Sequence, residues 1–270
     1  MERLVFLVRD SVGLFVEDQG GQGMPVVFQH GLGGDASQTR EVFPLSKDIR
    51  MVTLECRCHG RSDVGPVDDF SIATLTSDIS NYIEQNFTVP VTVGGISMGA
   101  VIGLRLAVKR PDLVRGLVIG RPAWLEAPSP KNLEPIRAVA DLLLAYGPAE
   151  GLARFEHTEI ARELATFAPD NLSSLRSYFA RRDWRHFGRM LSAIAADGPG
   201  VTRAEISAIA VPTLVVGTTD DLIHPLEYAR VLAALIPGAD LREIVSKRQS
   251  RGGYSEAFRA VLGDFCSRVA

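Results

Sequence analysis

Ser97 lies in the pentapeptide Gly95-Ile96-Ser97-Met98-Gly99, with an apolar run at 89–94 before it and a helical pattern at 100–109 after it. A Gly-x-Ser-x-Gly segment between a strand and a helix bends the chain sharply and exposes the serine hydroxyl. The flanking glycines remove side chains that would collide inside such a turn. The helix start adds unpaired backbone N–H groups and the positive end of a helix dipole beside the reacting centre. This is equipment for nucleophilic attack on a carbonyl, and a serine needs a neighbouring base to perform it at neutral pH.

Three more segments follow buried-looking apolar runs: His30-Gly31-Leu32-Gly33-Gly34, Glu55-Cys56-Arg57-Cys58-His59-Gly60-Arg61-Ser62, and Gly217-Thr218-Thr219-Asp220-Asp221-Leu222-Ile223-His224-Pro225. With the Ser97 turn, and in this order, they resemble the α/β-hydrolase fold superfamily of serine esterases and lactonases over nearly the whole chain. The resemblance implies that Ser97 is the nucleophile and that the backbone N–H groups of Leu32 and Met98 form the oxyanion hole, worth several kcal/mol together. It also implies a pocket bordered by His30 and Gly31, with Trp124 as a further lining residue or as packing. The Glu55–Ser62 stretch is implied to be structural; Cys58 stands where the family has glycine, and His59 is expected to pack and hydrogen-bond. Matching Asp-x-Ile-x-Pro selects Asp221 as the triad acid, whereas counting Gly-x-x-Asp from Gly217 selects Asp220. Asp221 is preferred because Pro225 fixes the turn that aims it.

The chain departs from the pattern in one place. The family's base histidine follows the last strand, and here that loop reads Ser246-Lys247-Arg248-Gln249-Ser250-Arg251-Gly252-Gly253-Tyr254, with no histidine beyond His224. Four substitutes are open. His224, three residues past Asp221 and the only histidine on the acid loop, is the first candidate; His157 or His186 could descend from the middle of the chain, and Lys247 could serve if desolvation lowered its pKa. A short acid loop argues against His224, since one residue must then orient its own near neighbour.

These residues must be positioned by a scaffold of alternating elements. Apolar runs of strand length occur at 4–8, 13–17, 25–30, 49–54, 89–94, 114–119, 211–216 and 241–245, and helical periodicity at 71–86, 100–109, 226–236 and 254–269. Runs that are apolar throughout indicate strands covered on both faces, so the expectation is a doubly wound, mostly parallel eight-stranded α/β sheet. Residues 121–207 show helical patterns and no convincing strand. They are read as a helical cap inserted into a core domain made of 1–120 and 208–270. Within it, Trp184, Phe187 and Leu191 share a helical face opposite Arg182, Arg185 and Arg189, an ordinary amphipathic pattern.

Composition excludes several functions. With 29 basic and 32 acidic residues the net charge is −3, which offers no basic footprint for nucleic acid. No apolar run approaches the ~20 residues of a membrane span, and the opening decapeptide holds five apolar residues in a row, short for a secretory leader. A cytoplasmic protein is expected. Three cysteines argue against a disulfide framework, and Cys56-Arg57-Cys58-His59 lacks a second cluster to complete a tetrahedral zinc site. No metal or cofactor is expected. The leading expectation is hydrolysis of a small, fairly apolar ester, thioester or lactone. The alternative is a non-catalytic or vestigial member that binds a small ligand in the same pocket. A lyase or cofactor-free oxygenase ranks last.

Overall fold

The computed structural model describes residues 4–8 and 11–269; residues 1–3, 9, 10 and 270, at the edges of the expected core domain and in the opening decapeptide, lie outside the described residues. The strands are β1 (Leu4–Leu7), β2 (Gly13–Asp18), β3 (Met24–Gln29), β4 (Ile49–Leu54), β5 (Val91–Ile96), β6 (Val114–Gly120), β7 (Thr213–Thr218) and β8 (Asp240–Ile244). They form one eight-stranded sheet in the order β1-β2-β4-β3-β5-β6-β7-β8. The β1–β2 and β2–β4 pairings are antiparallel and all others are parallel. Every residue of β5 and β7 is buried, as continuous apolar runs require when helices cover both faces.

Helices α2 (Ile72–Asn86), α3 (Met98–Lys109) and α9 (Leu226–Leu235) belong to the core on one face, with Val27, Val93, Ile119 and Val215 of the sheet. Helices α1 (Ala36–Val42) and α10 (Arg251–Val269) cover the other, where Phe258, Leu262 and Phe265 pack with Phe28, Val118 and Leu214. Between β6 and β7 the chain forms α4 (Glu134–Glu156), α5 (Glu159–Phe167), α6 (Pro169–Tyr178), α7 (Trp184–Ala196) and α8 (Arg203–Ser207). No helix of the described residues is long and apolar enough to cross a membrane.

Where elements differ from the expected ranges, local chemistry accounts for it. The strands expected at 89–94 and 211–216 lie two residues later because Pro90 and Pro212, which have no N–H to give to a ladder, stand just before them. Helix α1 is too short to show a period; Asp35 starts it by accepting the Ser37 N–H at 2.8 Å. Ser71 caps α2 through the Thr74 N–H at 3.0 Å. From β3 the chain steps outward to β4 and then returns to β5 on the other side. The loops after β3 and β5 therefore diverge and open a crevice at the carboxyl edge of the sheet.

Candidate active site

Ser97 joins β5 to α3 with φ 56° and ψ −107°, a left-handed conformation rare for a residue with a side chain. Its N–H donates to the Gly120 carbonyl at 2.9 Å, and its own carbonyl accepts from the Val101 N–H at 3.1 Å. The neighbouring glycines are sterically required. A Cβ on Gly95 would stand 2.2 Å from the Gln29 carbonyl oxygen, and one on Gly99 2.3 Å from the same atom. Without side chains, α3 can lie directly on the end of β3.

The loop after β7 brings two side chains to that serine. His224 Nε2 lies 2.8 Å from Ser97 Oγ, and His224 Nδ1 lies 2.9 Å from Asp221 Oδ1. The same Oδ1 accepts the His224 backbone N–H at 3.0 Å, so one carboxylate oxygen closes the turn and aims the ring. The difficulty expected for a residue orienting its near neighbour therefore does not arise. The carboxylate only accepts, so the ring proton sits on Nδ1 and Nε2 is left to accept from the serine hydroxyl.

Arg121, directly after β6 and held at φ 46°, completes the cluster. Its Nε and Nη2 donate to Asp221 Oδ2 at 2.8 and 2.5 Å, and Nη2 stands 3.1 Å from His224 Nδ1. With the proton on Nδ1, that last approach is an electrostatic contact between two donors. Burial alone would raise the Asp221 carboxyl. The charge of Arg121, followed by that of His224, overrides it and holds Asp221 far below the usual carboxylate range. Burial lowers the His224 pKa; Asp221 draws it back up and Arg121 presses it down. The outcome is a neutral imidazole at neutral pH, which is the form able to take a proton.

The other candidates are placed elsewhere. Asp220, also at positive φ, turns away from the serine, and its Oδ2 accepts from Ser246 Oγ and Thr219 Oγ1, each at 2.9 Å. His157 is exposed after α4, and His186 pairs with Asp183 at 2.8 Å; neither borders the serine's cavity. Lys247 does border it, without touching Ser97.

Two expected pocket residues prove to be supports. His30 is fully buried behind the loop, its Nε2 accepting from the Cys56 N–H at 3.0 Å and its Nδ1 donating to the Gly31 carbonyl at 2.9 Å. Trp124 is buried with its indole N–H on the Asp197 carbonyl at 2.9 Å, because a large aromatic with one donor is best satisfied inside the insertion. Gly31 and Leu32 do line the cavity. His59 is a support too: Nε2 accepts the Gly33 N–H at 3.0 Å and Nδ1 donates to the Arg57 carbonyl at 2.8 Å, which occupies both ring nitrogens.

These supports sort the N–H groups of the loop after β3. Gly31 donates to Gln38 Oε1 at 2.6 Å, Gly33 to His59, and Gly34 to the Gly31 carbonyl at 2.9 Å. The Leu32 N–H has no partner among the described residues, and Met98, first residue of α3, has an N–H that no helical bond can use. From the insertion, Tyr178 donates its hydroxyl to the Leu32 carbonyl at 2.7 Å and Arg181 hydrogen-bonds the Gly33 carbonyl. Asn171 Oδ1 accepts from the N–H groups of Leu222 and Ile223 at 2.9 and 3.2 Å, and Asn132 donates to the Ile223 carbonyl at 2.6 Å, so helices and turn of the insertion hold the acid loop. The sequence reading missed Arg121, Asn171, Asn132 and Tyr178. Only Arg121 left a trace there, as a lone charge at the end of an apolar strand.

The cavity beside Ser97 holds about 150 Å³ and is bordered by Gly31, Leu32 and Gly33, by Arg121, His224 and Lys247, and by residues of α4 and α6. This is below the ~300–1,000 Å³ common for small-molecule sites.

A mostly parallel eight-stranded sheet with a serine turn after its fifth strand defines the α/β-hydrolase class. Residues 26–248 match the Alpha/beta hydrolase family, and the chain belongs to it. A relative in Azorhizobium caulinodans, assigned as carbamate hydrolase RutD, is 26% identical over 259 residues, covering 92% of this chain and 93% of its own. The similarly assigned protein of Klebsiella pneumoniae is 27% identical over 230 residues, covering 82% and 83%. Among solved structures, the enol-lactonase from Burkholderia xenovorans superposes with TM-score 0.73 at 24% identity, over 98% of this chain and all of that one. An esterase from Exiguobacterium antarcticum gives TM-score 0.74 at 22% identity, over 98% and 100%. At these identities the structural matches speak to the fold.

Proposed function

We propose that the protein is a serine hydrolase of small carbonyl compounds (esters, thioesters, lactones or carbamates) with Ser97 as nucleophile, His224 as general base and Asp221 as the acid behind it. The observation that carries this reading is the 2.8 Å contact between His224 Nε2 and Ser97 Oγ, in line with Asp221. His224 Nε2 takes the hydroxyl proton as Ser97 Oγ bonds to the carbonyl carbon. The oxygen that gains charge is received by the N–H groups of Leu32 and Met98. The imidazolium, stabilised by Asp221, then gives its proton to the departing oxygen, sulfur or nitrogen. A water deprotonated by the same nitrogen releases the acyl group from Ser97.

The base thus comes from the acid loop, and the loop after β8 is released from that duty. The assignment of the Azorhizobium caulinodans relative supports the carbamate member of the set. The helical insertion acts as a cap in this reading, since Ile136 of α4 and Asn171, Ser174 and Tyr178 of α6 form one wall of the cavity.

The test is labelling with a fluorophosphonate, alongside turnover of a short-chain aryl ester, for the parent, Ser97→Ala and His224→Ala. The parent is expected to label rapidly and Ser97→Ala not at all. His224→Ala should lose about 10²–10⁴-fold in both rates. A parent that neither labels nor turns over would defeat the proposal in favour of a ligand-binding member of the fold.

A further inference from the structure

The proposed chemistry leaves two charged groups of the cavity unused, Asp170 of α6 and Lys247. The loop of Lys247 is built to hold it there. Ser246 Oγ donates to Asp220 Oδ2 at 2.9 Å, and the Ser246 carbonyl accepts the N–H groups of Gln249 and Ser250 at 3.1 and 3.0 Å. The side chain is half-buried, with Nζ 4.8 Å from the centroid of the buried Tyr254 ring. Among the described residues, none hydrogen-bonds Nζ and no carboxylate lies within 4.0 Å of it. Arg121 and Arg251 repel it, while Glu41 and Asp170 attract it. Glu41 itself leans to Arg251 at 3.8 Å, and Arg121 is taken by Asp221. The Tyr254 ring gives Lys247 a cation–π contact, but a lysine drawn out of water normally also has an anion or a hydrogen-bond acceptor. Beside it, Asp170, Asn171, Ser174 and Ser177 give the cavity a polar wall, whereas the substrate expected from the sequence is fairly apolar.

We propose that Lys247 is a specificity-determining residue that binds a carboxylate carried by the substrate, so that the preferred substrates are small acid-bearing esters, lactones or carbamates. This inference rests on the hydrolase reading above. The narrow cavity limits such substrates to short chains, and the ammonium meets the anion as a point charge with three donors, indifferent to its orientation.

The test compares matched esters of similar shape in a pH-stat: methyl butyrate against monomethyl succinate, with the acid on the acyl side, and propyl acetate against O-acetylglycolate, with the acid on the alcohol side. The parent is expected to prefer the acid-bearing member of at least one pair. In Lys247→Met the ratio of kcat/KM, charged over neutral, should fall about ten- to a hundredfold, mostly through KM. Lys247→Arg should keep part of the preference. A parent that prefers both neutral esters, or a ratio unmoved by Lys247→Met, would overturn the inference while leaving hydrolysis intact. Calorimetry separates the two readings: monomethyl succinate and O-acetylglycolate are titrated into Ser97→Ala protein with and without Lys247→Met. Binding that weakens by the same factor supports the site even if the parent proves inactive, and equal or absent binding rejects it.

Discussion

At the scale of residues, the site rests on two side chains three positions apart. Asp221 uses one oxygen for both the N–H and the Nδ1 of His224, and the other for Arg121. Arg121 therefore has two opposing effects. It keeps Asp221 ionised, and it makes His224 harder to protonate. The proposed catalysis needs neutral His224, so activity is expected to rise as pH climbs through a pKa that Arg121 helps to depress. In Arg121→Met that pKa should move upward, and the acid limb of the kcat/KM profile should shift to higher pH. The plateau should also fall, since a buried carboxylate loses its partner at a cost of about 3–5 kcal/mol. A lower plateau with an unmoved limb would mean that Arg121 acts on stability alone.

At the scale of elements, the serine turn depends on how closely α3 approaches β3. The obstacle to any Cβ at position 99 is the backbone carbonyl of Gln29 at the end of β3, which has no rotamer with which to step aside. Overpacking commonly costs about 1–3 kcal/mol, and Gly99→Ala should reach or exceed the top of that range because the clash is with backbone. The check is urea unfolding: the midpoint should drop at unchanged slope, together with ester turnover. A variant as stable as the parent would show that α3 can lift off β3 freely.

For the molecule as a whole, the notable charge property is a set of buried histidines kept neutral. His30, His59 and His224 are all lowered from the ordinary histidine range, burial being the first cause in each, and His30 additionally disfavours charge on His59 at a ring separation of 4.8 Å. In the unfolded chain all three bind protons near pH 6.5. Below that pH the unfolded state holds more protons than the folded one, so stability falls as pH falls. The limiting slope is about 1.4 kcal/mol per pH unit per histidine. Thermal or urea unfolding between pH 8 and 5 should show near-constant stability down to pH 7 and a steepening loss below it, lessened in His59→Gln. A flat curve to pH 5 would show that these rings accept protons inside the fold.

Much of this was legible in the sequence because it depends on short-range rules. Apolar runs mark doubly covered strands, and proline and the capping residues Asp35 and Ser71 shift their edges by a residue or two. The serine turn is marked by glycines that the local backbone requires. The sequence alone thus determined the sheet and the place of the serine turn, and it carried a preference for Asp221 over Asp220 as the acid. What only the tertiary structure decided was which histidine meets the serine, because that distance depends on how far the β7 loop reaches across β6 toward β5, and no spacing along the chain encodes it. The same holds for Arg121, which is 100 residues from Asp221 in sequence yet bonded to it, and for Asn171 and Tyr178, which act on loops from helices whose packing follows from shape. That His30 and Trp124 stand behind the pocket and not in it is likewise a tertiary matter, because residue type cannot say which way a buried ring faces. That direction is set by the hydrogen-bond partners the folded chain supplies, the Cys56 N–H and the Asp197 carbonyl.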